Sequence, residues 1–85
     1  MGLNARASRQ WPEKTQEVGE QLIAQAPELP HGYFFQAQAY ELTGHVEKAL
    51  QAYHDAETRA ADHPDYYGIY VAARERIFAL STFQP

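Results

Sequence analysis

Asp62, His63 and Asp65 form the densest group of metal-ligand side chains in the chain, next to Pro64. The four histidines are His31, His45, His54 and His63, and no two of them stand three or four residues apart. A zinc site on a helix needs that spacing to bring two imidazoles to one face. Aspartate and histidine beside a proline read instead as helix caps and turn formers. Glu13 and Glu17 are a carboxylate pair one helical turn apart. They belong to a solvated face, with no pocket to raise a pKa for acid–base work. Arg74, Glu75 and Arg76 are a charge run that reads as a solvated face. There is no cysteine, so disulfides, thiolate ligands and a thiol nucleophile are absent. No phosphate-binding glycine loop and no activated serine occurs. The expectation is a protein without catalytic residues, metal or cofactor.

Something other than chemistry must account for the aromatic content. The chain has 85 residues, enough for one small domain with a thin core. Its net charge is −4, unevenly spread. From Trp11 to Tyr67 ten acids stand against three bases, a local −7. An acidic body argues against nucleic acid and anionic membrane as partners. No apolar run approaches the roughly 20 residues of a membrane span. The amino end, MGLNARASRQ, lacks the apolar centre of a secretory signal. Residues 1–10 are expected to be a flexible segment, 11–81 the helical domain and 82–85 a tail. A soluble, cytoplasmic protein is expected.

Prolines and glycines divide the chain into four pieces. Trp11, Thr15, Val18, Leu22 and Ala26 follow at helical steps from a start at Pro12, and Pro27 and Pro30 end that run. The second piece spans about 30–43, with Gly44 as a left-handed C-cap. Val46, Ala49, Tyr53, Ala56 and Ala60 mark one face of the third, which reaches about Asp62 before His63-Pro64 stops it. Asp65 caps the fourth, which runs to about Ser81. Strand-forming residues are too few and scattered for a sheet. The predicted fold is all-α: four helices, each antiparallel to the next. The second helix carries Tyr33, Ala37 and Tyr40 on one side and Phe35, Ala39 and Leu42 on another. Apolar on most sides, it expects more than one neighbour.

The stretch GYFFQAQAYELTGHVEKALQAYHDA, from Gly32 to Ala56, resembles a tetratricopeptide repeat. Tyr33 stands at the leading aromatic slot, Ala37 at the small-residue slot and Tyr40 at the tyrosine slot. Gly44 matches the turn glycine, and Ala49 with Tyr53 the alanine-x3-aromatic pair, followed by Ala56. Gln36 departs from the usual leucine. Ala61 departs from the usual proline, which comes at Pro64, and predicts a third helix longer by nearly a turn. Thr15, Leu22 and Pro27 lie 34 residues before Ala49, Ala56 and Ala61, so the first helix resembles the second half of a preceding repeat. The fourth helix resembles the first half of a following one, in either of two registers. One uses Tyr70 and Ile77, the other Ile69, Ala73 and Arg76.

The resemblance implies a short right-handed helical array that binds a protein or peptide on a concave face. His31, Phe34, Gln38, Glu41 and Leu42 would line that face, with Val71 and Glu75 from the fourth helix. The competing reading packs Phe34 and Leu42 against neighbouring helices. The family's chaperone-tail clamps use lysine, arginine and asparagine there, and these are missing. An apolar or basic segment is therefore the expected partner. The fourth helix has apolar residues on several sides and no successor to cover them. Tyr67, Tyr70, Ile77, Phe78 and Leu80 are the candidate surface for a homo-oligomer. If the chain is one piece of a longer array, that equally explains the bare helix.

Overall fold

Gly44 has φ of +82°, a conformation glycine adopts without the steric penalty of a Cβ. Around it the His45 amide donates to the Tyr40 carbonyl (2.8 Å) and the Gly44 amide to Glu41 (3.2 Å), the two bonds of a Schellman helix end. This turn sends the chain back on itself, and the whole architecture repeats that move. The computed structural model describes residues 2–83, with side chains for 11–82. Four helices follow one another: α1 (Gly2–Gln25), α2 (His31–Leu42), α3 (Val46–Ala60) and α4 (Tyr67–Phe83). A short 3-10 turn, Pro64–Tyr66, leads into α4 and contains Asp65. No strand occurs among the described residues.

Each helix packs on its sequence neighbour, and α2 also touches α4. The stack is therefore open, unlike a bundle whose first and last helices close a ring. Its extents are 45 × 35 × 18 Å. As its sequence demands, α2 has neighbours on several sides and buries Gly32, Ala37 and Ala39.

The interior is built from small residues. Ala37, Ala49, Ala52, Ala56, Ala60 and Ala73 are buried, and Tyr53 is the large side chain among them. Tyr40, Phe34, Ile77 and Leu80 pack around this cluster. Burial of Ala73 beside an exposed Arg74 decides the register of α4. Ala73 thus takes the inner position on α4, and Arg74, which a frame led by Tyr70 would place there, points outward.

Helix α1 differs from its predicted form. It starts at Gly2 rather than at Trp11, so Pro12 lies within it. The stripe Trp11, Thr15, Val18, Leu22 is not its buried face: Trp11 and Val18 are exposed. The contact with α2 runs instead through Gly19 and Ile23. A Cβ on Gly19 would lie 2.8 Å from the Gly32 carbonyl oxygen, and one on Gly32 would lie 2.7 Å from Ile23 Cγ1. Glycine outranks the apolar stripe here because backbone contact needs the absence of a side chain. At the other helix ends the differences are small. Helix α3 ends at Ala60, without the extra turn, and α4 runs to Phe83. Arg59 ties the end of α3 to the α1–α2 loop, donating from Nε to the Pro27 carbonyl (2.8 Å) while lying 4.0 Å from the Tyr33 ring centre.

Gly32→Ala is expected to destabilise the fold by about 2 kcal/mol, since backbone atoms must shift to admit the methyl group. Gly68→Ala is the control: its Cβ meets nothing within 4 Å, and the change should stabilise by about 0.5 kcal/mol. Urea unfolding of the two variants measures both signs.

Candidate functional site

On one side of the stack α1, α2 and α4 leave an open groove of about 460 Å³. Helix α2 supplies its base with Phe34, Gln38, Glu41 and Leu42, and Tyr53 reaches in from α3. Trp11 forms the wall on α1, and Ala72, Glu75 and Arg76 form the wall on α4. These positions follow from helical spacing. Phe34, Gln38, Glu41 and Leu42 advance by four, three and one, which keeps them on a single face. Because α1 runs antiparallel to α2, with Gly19 opposite Gly32, its earlier residue Trp11 stands beside the later residue Leu42.

The groove has one polar centre. The Glu41 carboxylate accepts from Tyr53 Oη at 2.8 Å and from Arg76 Nε at 3.2 Å, and Arg76 Nη2 donates to its second oxygen. The paired Arg–carboxylate fork holds α4 against α2, and the phenol ties both to α3. With its guanidinium committed this way, Arg76 contributes little free positive charge, while Glu75 stays exposed. Around this centre the walls are apolar. Trp11 is 68 % exposed and Leu42 57 %. Phe34 has two roles, meeting the Tyr53 ring edge-on at 5.6 Å and lining the groove.

The residues expected on the concave face divide as follows. Phe34, Gln38, Glu41, Leu42 and Glu75 come together in the groove. His31 does not line it and instead stacks edge-on with Tyr66, 4.9 Å between ring centres. Val71 is half-buried on α4 and lies outside the lining. Of the residues read as an open surface on α4, Ile77 and Leu80 pack against the core. Tyr67 and Phe78 are exposed, and Tyr70 is half-buried, accepting from Arg74 Nη1 at 2.9 Å. Asp62, His63 and Asp65 are exposed, and among the described residues no three metal-ligand side chains converge.

Four groove residues, Trp11, Tyr53, Ala72 and Arg76, were not among those expected to line it. Trp11 opens the helical stripe read on the first helix, and a lone tryptophan seven residues before Val18 on a glycine-packed helix is free to face outward. Arg76 was left in a solvated charge run. Its spacing from Tyr40, equal to that of Ala73 from Ala37, was the signal that it lies beside Glu41.

The fold and groove define a small open helical stack with a largely apolar cleft between α1, α2 and α4. No family model matches the chain, and no curated protein or solved structure matches it. No helix among the described residues is long and apolar enough to cross a membrane.

Burial, and then the neighbouring Glu41 carboxylate, push the Tyr53 phenol well above its ordinary value near about 10. The folded state thus holds its proton where the unfolded state releases it. This contribution is fully present below about pH 10 and is lost as pH rises beyond it. Tyr53→Phe should flatten the alkaline fall in unfolding free energy by up to about 1.4 kcal/mol per pH unit, read from urea midpoints above pH 10.

Proposed function

We propose that the protein is a non-catalytic interaction module, a short tetratricopeptide-like array that holds a segment of another protein in the α1–α2–α4 groove. The observation that carries this reading is the exposure of large apolar side chains along one trough. Trp11 and Leu42 face each other across the groove. Val18 and Phe35, each seven residues away on its own helix, lie beyond the groove lining and are also exposed. Seven residues is two helical turns, so each pair shares a face. A trough with paired apolar lines at this repeat fits an amphipathic helix that presents residues at i, i+3, i+4 and i+7. Contiguous exposed apolar surface of this kind marks an interaction site.

The open stack, the alanines at 37, 49 and 56 inside it and the turn at Gly44 support the tetratricopeptide-like assignment. Charge supports a basic partner. Glu41 and Arg76 neutralise each other, Glu75 remains on the rim, and the surrounding body is acidic. The same acidity disfavours nucleic acid. A soluble, cytoplasmic adaptor or scaffold role follows from this reading.

Trp11 is the chain's single tryptophan and therefore reports on the groove. An amphipathic leucine–lysine peptide should shift its emission to the blue on titration, and a leucine–glutamate peptide of the same length should not. Leu42→Glu, at an exposed position, should weaken the lysine peptide about 30-fold. Absence of any shift or binding heat with either peptide would reject the groove as a docking site.

A further inference from the structure

The two ends of the stack differ in chemistry. At the α1 end Lys14, Glu17, Gln21 and Gln25 are all exposed, giving a polar outer line. At the α4 end Tyr67 is 66 % exposed and Phe78 75 %. Tyr67, Val71, Arg74 and Phe78 advance by four, three and four residues, the spacing of a helix–helix seam. Val71, absent from the groove, falls in the middle of this seam.

Charge on the seam is self-complementary. Arg74 lies in its centre and Glu75 beside it, so one turn carries both signs. Arg74 is anchored from behind by the Tyr70 hydroxyl at 2.9 Å and by Glu57 at 3.7 Å, and its side chain is still 60 % exposed. Laid antiparallel on a second copy, the seam reverses. Tyr67 then meets the second copy's Phe78 at both ends. In the middle, Arg74 of each copy comes level with Val71 of the other, with Glu75 in reach.

The geometry points to a two-fold homodimer in which α4 packs antiparallel on α4 of a second copy, through Tyr67, Val71 and Phe78 and reciprocal Arg74–Glu75 ion pairs. A parallel arrangement would set Arg74 against Arg74, which like-charge repulsion opposes. Head-to-tail growth would need an apolar outer line on α1, and Lys14, Glu17, Gln21 and Gln25 make that line polar, which favours closure at two. This inference stands apart from the groove reading, because Leu42 and Trp11 take no part in the seam.

Light scattering behind a sizing column, over a concentration series of the full chain, tests it. The expected mass is twice 9.7 kDa for the wild type and 9.7 kDa for Phe78→Arg. Phe78 is largely exposed, so retained helical circular dichroism will show that the variant still folds. Arg74→Glu and Glu75→Arg should each weaken the dimer about tenfold, and the double swap should restore it. Three results overturn the proposal. One is a wild type that stays monomeric throughout the series, which leaves the α4 face to a different protein. The second is a dimer that survives Phe78→Arg. The third is a double swap no tighter than the single changes. Leu42→Glu must leave the mass unchanged while weakening peptide binding, which separates this test from that of the groove.

Discussion

Gly19 and Gly32 let the backbones of α1 and α2 touch, and most of the structure depends on approaches of this kind. A Cβ at either position would come within 3 Å of backbone atoms across the interface. The same economy of size recurs between α2, α3 and α4, where the buried positions are alanines and Tyr53 is the one bulky occupant. Small residues bring helices close enough for dispersion contacts along their whole length. The stack reaches close packing with little volume in its interior.

A consequence is that the large side chains lie outside the core. Hydrophobic residues make up 45 % of the chain, yet Trp11, Leu42, Tyr67 and Phe78 are mostly exposed. In a domain that can bury only about 60 % of its unfolded surface, some apolar exposure is unavoidable. Its distribution is informative because it is not scattered: Trp11 and Leu42 line the groove, and Tyr67 and Phe78 share one side of α4. Small residues thus fill the interior, and the exposed apolar surface is made of large ones.

Glu41 links the two. Its carboxylate gathers Arg76 from α4 and the phenol of Tyr53 from α3, so three helices meet at one side chain. That meeting ties α4 to α2 at the groove, whose lining includes all three residues. It also neutralises the cation at the groove's centre and leaves Glu75 as the free charge at the rim. The site's electrostatic character therefore comes from an internal pairing as well as from its surface charges.

Much of this was legible from residue types alone. Proline and glycine placement marked the breaks between helices, since each acts on its own neighbouring dihedrals. The face of α3 was readable as well: alanines at regular steps with Tyr53 among them can only be an inner surface. Five groove residues, Phe34, Gln38, Glu41, Leu42 and Glu75, stand at positions that the repeat resemblance assigns to one face. Tertiary structure decided the rest. Which side of α1 is buried depended on a glycine contact with a helix it meets only after the turn. The inner face of α4 depended on a choice between two frames one residue apart that period counting left open, and with it went the partnership of Arg76 and Glu41. The same choice packs Ile77 and Leu80 against the core and leaves Phe78 outside. Local pattern fixes a helix and its possible faces, because those depend on neighbours in the chain. The choice among faces belongs to contacts between residues far apart in the chain, such as Glu41 and Arg76, and one chain segment alone carries no record of them.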